Sequence, residues 1–283
     1  MPFLRPSTRR ALGVAVAALI FILLAGATYQ GVATALERRE FPRPGGLVSI
    51  GDHQLHIYCT GRGVPTVVLE APAAGVTAAW GEVQRRLSKT TRVCSYDRTG
   101  LGWSETGDQA FDAARVPDEL RTLLTRANEA GPFVIAGQGL GAAFARAYAA
   151  RPDSRTTALV LIDMPTDAPI PPPGWIVPAS PWLARAGVLR AARIMSSKAD
   201  GLPSGGALRA FLNRPDHLSR AAAELDDWND VVQQAAQATP GAGIQVVTVD
   251  SGARDRIAFL TNPAAIDRVV TAIEGVIAGG IGP

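Results

Sequence analysis

Short apolar runs alternate with helical segments through most of this chain, and that alternation restricts the fold more than any other feature. The run at 65–70 precedes a helical stretch at 80–89, and the run at 133–137 precedes a helix that reaches about residue 151. Strands of four to eight apolar residues separated by helices indicate a mostly parallel sheet covered on both faces. The other predicted strands are 47–51, 54–60, 92–97, 157–163 and 244–250, and the other predicted helices of the body are 116–131 and 263–277.

The chain between the last two predicted strands interrupts this alternation. Residues 164–181 are rich in proline, which predicts an irregular course, whereas 181–195 and 217–237 have helical patterns. We therefore predict a helical cap of about residues 166–242 inserted into the α/β body. One arc of helix 181–195 is basic and fits either a cap over a pocket or a helix lying on anionic lipid. The residues of this arc are Arg185, Arg190 and Arg193.

The N-terminus carries an apolar segment of the length that crosses a membrane. No charged residue occurs from Ala11 to Leu36, and a spanning helix needs about 20 such residues. A cleaved signal peptide, with Ala25-Gly26-Ala27 as its small-residue site, is the alternative. Because the apolar run continues past that site, we predict an uncleaved membrane anchor over 1–36, in contact with membrane lipid. A stiff, charged linker is predicted at 37–46.

Basic residues flank the anchor equally on both sides, so their number does not orient it. The start of the chain contains no acid and resembles a signal sequence, which favours a cytoplasmic N-terminus. The prediction is a single-pass membrane protein whose body, 47–283, lies outside the cytoplasm. The flanking residues are Arg5, Arg9 and Arg10 before the anchor, and Arg38, Arg39 and Arg43 after it.

The charge balance of the body excludes nucleic acid as a partner class. Subtracting the three arginines before the anchor from the 28 basic residues leaves 25, against 25 acidic ones. A formally neutral body lacks the electrostatic footprint of a nucleic-acid binder. Two cysteines cannot form a cysteine-only zinc site, and we predict neither a metal nor a cofactor.

Three motifs follow one another along the body: GDHQLHIYCTGRGVPTVVLEA at 51–71, RVCSYDRTGLGWSETG at 92–107 and GPFVIAGQGLGAAFARAYAARPDSRTTALVLIDMP at 131–165. In order and content they resemble the α/β-hydrolase fold superfamily, and most closely its bacterial membrane-anchored members. The resemblance implies an eight-stranded, mostly parallel sheet with an antiparallel second strand. One strand–helix unit before the last helix is hard to find, so the fold is expected to be shortened near the C-terminus.

The resemblance also shows which catalytic groups this chain lacks. Members carry a G-x-S-x-G turn after the fifth strand, where a strained backbone presents the nucleophilic serine. The corresponding turn here places Gly139 at the serine position, and no histidine follows Ser251-Gly252, where members place the base. Asp163 and Asp250 are the degenerate acid positions. Losing the nucleophile or the base alone removes on the order of 10⁶-fold in rate, which favours a catalytically inactive protein.

Part of the family's binding chemistry is retained. The oxyanion hole would use the backbone N–H groups of Leu140 and Ala73. We therefore predict that an acyl or apolar ligand binds at the turn without being cleaved, or that the domain is a scaffold. Two alternatives stay open: an active ester or lipid hydrolase with a displaced nucleophile, recruiting His217 or Asp163, and a pure protein-interaction subunit with a membrane protein partner. The predicted ligand-binding residues are Ala73, Gln138, Gly139 and Leu140.

Cys59 and Cys94 fall in the second and fourth strands, which are neighbours in the strand order that the resemblance implies. A cross-strand disulfide is feasible there outside the cytoplasm, and two buried thiols are the alternative. His53 and His56 are expected to be a surface pair on the first hairpin, and His217 a solvated histidine at the start of a helix.

Overall fold

The body of the computed structural model is built on one seven-stranded sheet, with helices against both faces. The structure describes residues 6–165, 174–194, 199, 205–253 and 262–279. The strands are β1 (Gly46–Ser49), β2 (Gln54–Thr60), β3 (Thr66–Glu70), β4 (Val93–Tyr96), β5 (Phe133–Gln138), β6 (Thr156–Ile162) and β7 (Gln245–Val249). Their order across the sheet is β1-β2-β4-β3-β5-β6-β7.

The helices of the described residues fall into three groups: an N-terminal one, four that cover the sheet, and five in the cap. The N-terminal helix is α1 (Pro6–Glu40). The helices against the sheet are α2 (Gly81–Leu87), α3 (Val116–Arg126), α4 (Leu140–Ala149) and α10 (Pro263–Gly279). The cap helices are α5 (Ile176–Arg185), α6 (Val188–Ala191), α7 (Gly205–Leu212), α8 (Pro215–Asp226) and α9 (Trp228–Gln237).

Strand pairing confirms the predicted mostly parallel sheet. β2 is antiparallel to both of its neighbours, whereas β3 pairs in parallel with β4 and β5, and β6 with β5 and β7. An eighth strand is not among the described strands, and the sheet ends at β7. Val246 of this edge strand is 46% exposed, so β7 is covered far less than the interior strands.

Alternating side chains of the strands fill two apolar layers. Val67 and Leu69 point to the face covered by α2 and α10, while Val68 between them points to the face covered by α3 and α4. Because both faces are covered, the strands read as continuous apolar runs, and this is why the sequence located them.

The cap departs from the predicted helices at two places. α5 begins at Ile176, inside the stretch that its prolines were expected to keep irregular, and Pro181 lies within it. Proline cannot donate to the Val177 carbonyl, but the Ser180 hydroxyl does so at 2.7 Å. Gly187, with φ of +73°, then separates α5 from α6, so the expected single helix 181–195 is two helices. Residue 166, the predicted start of the cap, and residues 195–198 lie outside the described residues.

Because the expected helix is divided in two, its arginines do not form the predicted basic arc. Arg190 bonds both carboxylate oxygens of Glu37 in α1, whereas the guanidinium of Arg185 lies 5.0 Å from the Trp182 ring centroid. The two arginines therefore serve different contacts rather than one surface.

α1 continues to Glu40, so the first four residues of the predicted linker are helical. Glu and Arg favour helix, and Pro42 stops it. Over Thr8–Glu40 the helix is long and apolar enough to cross a membrane. Its later turns also pack on the cap: Gln30 donates to the Asn213 carbonyl at 2.6 Å, and a side chain at Gly26 would meet the Ala186 carbonyl at 2.1 Å.

Cys59 and Cys94 are register partners in β2 and β4, and a disulfide joins them. Glu129 lies within 4.8 Å of both sulfur atoms. Since the sulfurs are bonded to each other, neither is a thiolate that could bind a metal beside this carboxylate.

Candidate functional site

The turn between β5 and α4 retains the geometry of a nucleophile elbow without its nucleophile. Gly139 has φ of +56° and ψ of −123°, a conformation that side chains other than glycine adopt only under strain. Its N–H donates to the Ile162 carbonyl at 2.9 Å, and its carbonyl accepts from the N–H of Ala142 at 3.0 Å. Backbone hydrogen bonds to β6 and to the first residues of α4 therefore fix the conformation at Gly139.

The three glycines of the turn differ in the space around them. A Cβ at Gly137 would lie 2.4 Å from the Gly141 carbonyl oxygen, and one at Gly141 would lie 2.3 Å from the Ala71 carbonyl oxygen. At Gly139 the nearest atom is the Pro72 Cβ at 3.7 Å, an ordinary contact. The outer glycines are required by close backbone packing, whereas the central position has room for a side chain.

The loop that follows β3 faces this turn. Ala73 lies in it next to Pro72, and Leu140 is the first residue of α4. Neither N–H donates to another described residue, as expected for the first N–H of a helix. Two backbone donors therefore remain for a carbonyl or carboxylate, on the two sides of Gly139.

A buried ion cluster holds this loop. The guanidinium of Arg98 donates to Glu70 at 2.5 Å and to both oxygens of Glu224 at 2.8 and 2.9 Å. The same guanidinium bonds the carbonyls of Ala71 and Pro72 at 2.7 and 2.8 Å. Arg98 is 3% exposed, and both glutamates are fully buried. A body strand, the loop and a cap helix thus meet at one cation.

Glu224 completes the support of the loop. Its Oε2 accepts the N–H of Ala74, the residue after the candidate donor Ala73, at 2.9 Å. Ala74 has a positive φ of 57°, which costs free energy for a non-glycine residue. The hydrogen bond from the cap helix α8 therefore stabilises a strained loop conformation beside the turn.

Burial and the neighbouring charges together set the pKa values in this cluster. Burial raises the pKa of Glu70, against the opposing charge of Arg98. Burial also raises the pKa of Tyr96 well above its usual value, with the charge of Glu70 acting in the same direction, and the Tyr96 hydroxyl donates to Glu70. Burial opposes the charged form of Arg98, but Glu224 and Glu70 outweigh it and raise the pKa of the guanidinium. Arg98 is therefore a permanent cation.

The two predicted acid positions have separate environments. The Asp163 carboxylate accepts the Ser251 N–H at 2.7 Å and the Ser251 hydroxyl at 2.6 Å, which joins the ends of β6 and β7. The amide of Gln138 lies 3.4 Å from the same carboxylate. Asp250 is exposed and accepts the N–H of Gly252 at 2.8 Å. The structure thus brings Gln138 and Asp163 together beside the turn, and leaves Asp250 in a local backbone turn.

His53 and His56 are buried, so the prediction of a surface pair is wrong. His53 is 4% exposed, and its Nε2 lies 2.8 Å from the Thr99 hydroxyl. His56 is fully buried, with Nδ1 3.0 Å from Asp97 and Nε2 bonded to the Pro44 carbonyl. The loop after β4 and the chain before β1 both fold over the hairpin, which a strand pattern does not reveal.

His217 is also buried rather than solvated. Its side chain is 1% exposed, its ring stacks with Phe211 at 6.0 Å, and its Nδ1 accepts the Gly102 N–H at 3.2 Å. Burial, followed by the charge of Arg214, lowers its pKa to about 4. The ring is therefore neutral at pH 7. The chain contains three histidines, and none of these polar contacts is with the turn 137–141.

The sequence missed the ion cluster in part. Glu70 ends an apolar run, and Arg98 lies two residues after the end of β4. Both are charged residues next to buried strands, so the sequence could have indicated that they form a pair. No signal pointed to Glu224, because it lies in an amphipathic cap helix among other acids.

Comparison with known proteins places this geometry in a family. A family model described as "Alpha/beta hydrolase family" matches residues 67–278. An enol-lactonase from Burkholderia xenovorans has a similar structure, with a TM-score of 0.59 and 19% identity, over 82% of this chain and 100% of that chain. At this identity the likeness shows the fold alone.

Relatives among the curated proteins match over shorter segments. An uncharacterized protein of Schizosaccharomyces pombe is 35% identical over 82 residues, which cover 29% of this chain and 15% of that protein. An uncharacterized vacuolar membrane protein of Saccharomyces cerevisiae is 33% identical over 89 residues, 31% of this chain and 14% of that protein. The chain thus matches only a small part of the length of these relatives.

The ion cluster makes a prediction about stability. Arg98→Met leaves two carboxylates buried without a cation, so the free energy of unfolding is expected to fall by about 3–5 kcal/mol. Arg85→Met is the matched control, since Arg85 pairs with Glu82 on the surface with 61% of its side chain exposed, and little change is expected. Urea denaturation of both variants measures this, and equal midpoints for Arg98→Met and the parent would contradict it.

The burial of His217 makes a prediction about pH. The unfolded imidazole has a pKa near 6.5 and the folded one about 4. Between these values only the unfolded state binds the proton, so the free energy of unfolding decreases as the pH falls from 6.5 to 4. The largest contribution is about 3 kcal/mol.

His217→Asn keeps an acceptor for Gly102 but does not titrate, so it should remove this part of the pH dependence. Measurements at pH 8, where the imidazole is neutral in both states, provide the baseline for each protein. Parallel stability curves for the two proteins between pH 8 and pH 4 would rule out the buried, neutral imidazole.

Proposed function

The chain belongs to the α/β hydrolase family, and from this membership we propose that it is a membrane-associated member without serine-type hydrolysis that binds an acyl or apolar ligand at the former catalytic turn. The observation that carries the proposal is Gly139: the turn keeps the elbow backbone, but its central residue offers no nucleophile. None of the three histidines has a polar contact with the turn, so a hydroxyl placed there would also lack a base.

The binding part of the proposal rests on what the turn offers instead. The N–H groups of Ala73 and Leu140 have no partner among the described residues, and N–H groups at the start of a helix favour a carboxylate or a polarised carbonyl. The space above Gly139, where a serine side chain would stand, is bounded at 3.7 Å by Pro72. These two donors suit a carboxylate or an acyl carbonyl, and Gln138 and Asp163 lie beside the turn.

A recruited nucleophile or base is less well supported. His217 is the histidine of the cap, but its Nδ1 already accepts from Gly102, and its pKa of about 4 makes it a weak base. Asp163 is occupied by Ser251. Both groups contribute to structure in their present positions.

A second candidate function, a scaffold for a membrane protein partner, is favoured by one surface. Trp175 is 77% exposed and Trp182 is 71% exposed, both at α5 beside α1. Exposed tryptophans on a helix beside α1 suit contact with a partner protein in the membrane or with the membrane–water interface.

The membrane association proposed here is supported by α1 and by the vacuolar membrane relative. We propose that α1 is an uncleaved, single-pass anchor with its N-terminus in the cytoplasm and the body outside it. The acid-free start supports this orientation. The disulfide between Cys59 and Cys94 supports it as well, because disulfides persist in oxidising compartments.

We predict no covalent catalysis by the intact chain. The purified protein should not be labelled by a fluorophosphonate probe and should not turn over p-nitrophenyl esters. Gly139→Ser, for which there is steric room, should also stay unlabelled because no base reaches the hydroxyl. Stoichiometric labelling of the parent protein, with the adduct mapped to any residue, would establish a displaced nucleophile and refute the proposal.

Binding at the turn is tested by filling the space above Gly139. The parent protein should bind octanoate in isothermal titration calorimetry, and Gly139→Leu should weaken it by roughly tenfold or more, because the side chain occupies the ligand position. Gly139→Ala is the control, since it shares the unfavourable positive φ but leaves most of the space. Equal affinities for the two variants would show that octanoate does not bind at the turn.

A further inference from the structure

Two cavities lie where α1 joins the body, away from the elbow. The larger, of about 440 Å³, is enclosed by the last turns of α1, the loop 103–106 and the cap helices α7 and α8. Its walls include Thr34 and Arg38 from α1, Trp103 from the loop, and Phe211 and Arg214 from the cap. None of the residues of the turn 137–141 lines it.

The second cavity is adjacent and different in character. It has a volume of about 340 Å³, and apart from Glu40 its lining is uncharged. Phe41, Trp103 and Ala207 line both cavities. The three residues therefore stand between a charged compartment and an uncharged one, the arrangement that suits an amphiphile with a polar head and an apolar tail.

The charges of the larger cavity favour an anionic head. Arg38 and Arg43 are exposed and have no ion pair within the described ranges. Arg214 donates to the Gly102 carbonyl and stacks on Phe211, which leaves further N–H groups on its guanidinium. Burial lowers the pKa of Arg214, and the positive charge of Arg38 lowers it further. An anion between these arginines would relieve that repulsion.

Three acids also line this cavity, and one of them is paired with an arginine outside it. Glu37 is bonded by Arg190 through both carboxylate oxygens. Glu105 accepts the N–H of Gln54 at 2.8 Å. That N–H does not neutralise its charge, so Glu105 and Asp216 balance two of the three arginines and one positive charge remains in the compartment.

The position of the cavities relative to the membrane identifies the kind of amphiphile. The charge-free run of α1 ends at Leu36, and the larger cavity begins at Thr34 and includes Arg38 and Arg43. If α1 spans the bilayer, this level of the helix lies among lipid headgroups. A phospholipid can then enter sideways from the membrane.

We infer that this cavity pair, defined by Arg38, Arg43 and Arg214 on one side and by Phe41, Trp103 and Ala207 at its centre, binds an anionic phospholipid. The arginines hold the phosphate, and one acyl chain occupies the uncharged cavity. Guanidinium groups suit this role because they bind phosphate oxygens through paired N–H donors. The site is separate from the turn at Gly139 and does not depend on the ligand proposed there.

The test is native mass spectrometry of the full chain in a neutral detergent, titrated with dioleoyl phosphatidylglycerol or dioleoyl phosphatidylcholine. One phosphatidylglycerol should bind in preference to phosphatidylcholine. Arg38→Gln should weaken its binding about tenfold, the usual effect of losing one charge-assisted bond. Arg39→Gln is the matched control, since it is the next residue of the same helix but does not line the cavity, and it should leave the affinity unchanged.

Two further variants test whether the phosphate belongs to a lipid and whether this site is separate from the turn at Gly139. Ala207→Phe narrows both cavities, so it should weaken binding of the lipid. The affinity for inorganic phosphate, measured by its competition with the lipid, should stay unchanged. Gly139→Leu should leave binding of the lipid unchanged. Equal losses in Arg38→Gln and Arg39→Gln would show nonspecific adsorption and overturn the site. Inorganic phosphate that binds as tightly as the lipid would overturn the assignment to a phospholipid.

Discussion

Arg98 is the group on which the arrangement of body, loop and cap depends. It is buried, it stays charged, and it is satisfied only while Glu70 of β3 and Glu224 of α8 remain on either side of it. Separating the cap from the body would leave a buried charge without its partner, which costs several kcal/mol. The cap is therefore fixed over the sheet, and the loop bearing Ala73 is fixed with it. A binding site gains from such preorganisation, because little conformational entropy is lost when a ligand enters.

The elbow shows that backbone geometry and chemistry can be separated. Gly137 and Gly141 are dictated by packing, since any side chain there would enter the backbone of the turn or of the loop after β3. The position between them is free of that restriction, and glycine adopts its positive φ without strain. A turn that no longer presents a nucleophile is thus more easily formed with glycine than with serine. The backbone geometry of the turn then serves to position the two backbone donors, Ala73 and Leu140.

The sequence predicted the sheet well and the polar interior poorly, for a physical reason. Buried parallel strands are continuous apolar runs, so β3 to β6 were located within a residue or two, and the family motifs supplied their order. Burial of polar groups depends on which loops fold over them, and nothing in the local pattern around His56 or His217 shows that the chain before β1 or the loop after β4 covers it. The break at Gly187 was missed because one glycine in an apolar helical pattern is tolerated more often than not.

α1, the candidate membrane span, is joined firmly to the cap. From Thr8 to Ala25 it is exposed, but from Gly26 onward it contacts the cap: its Gly26 backbone touches Ala186, its Gln30 bonds Asn213 and its Glu37 bonds Arg190. These contacts join α1 to three different cap helices or their ends. The cap is in turn tied to the loop of the candidate site through Glu224. α1 is therefore coupled to the loop of the candidate site through a continuous series of polar contacts rather than through a flexible tether.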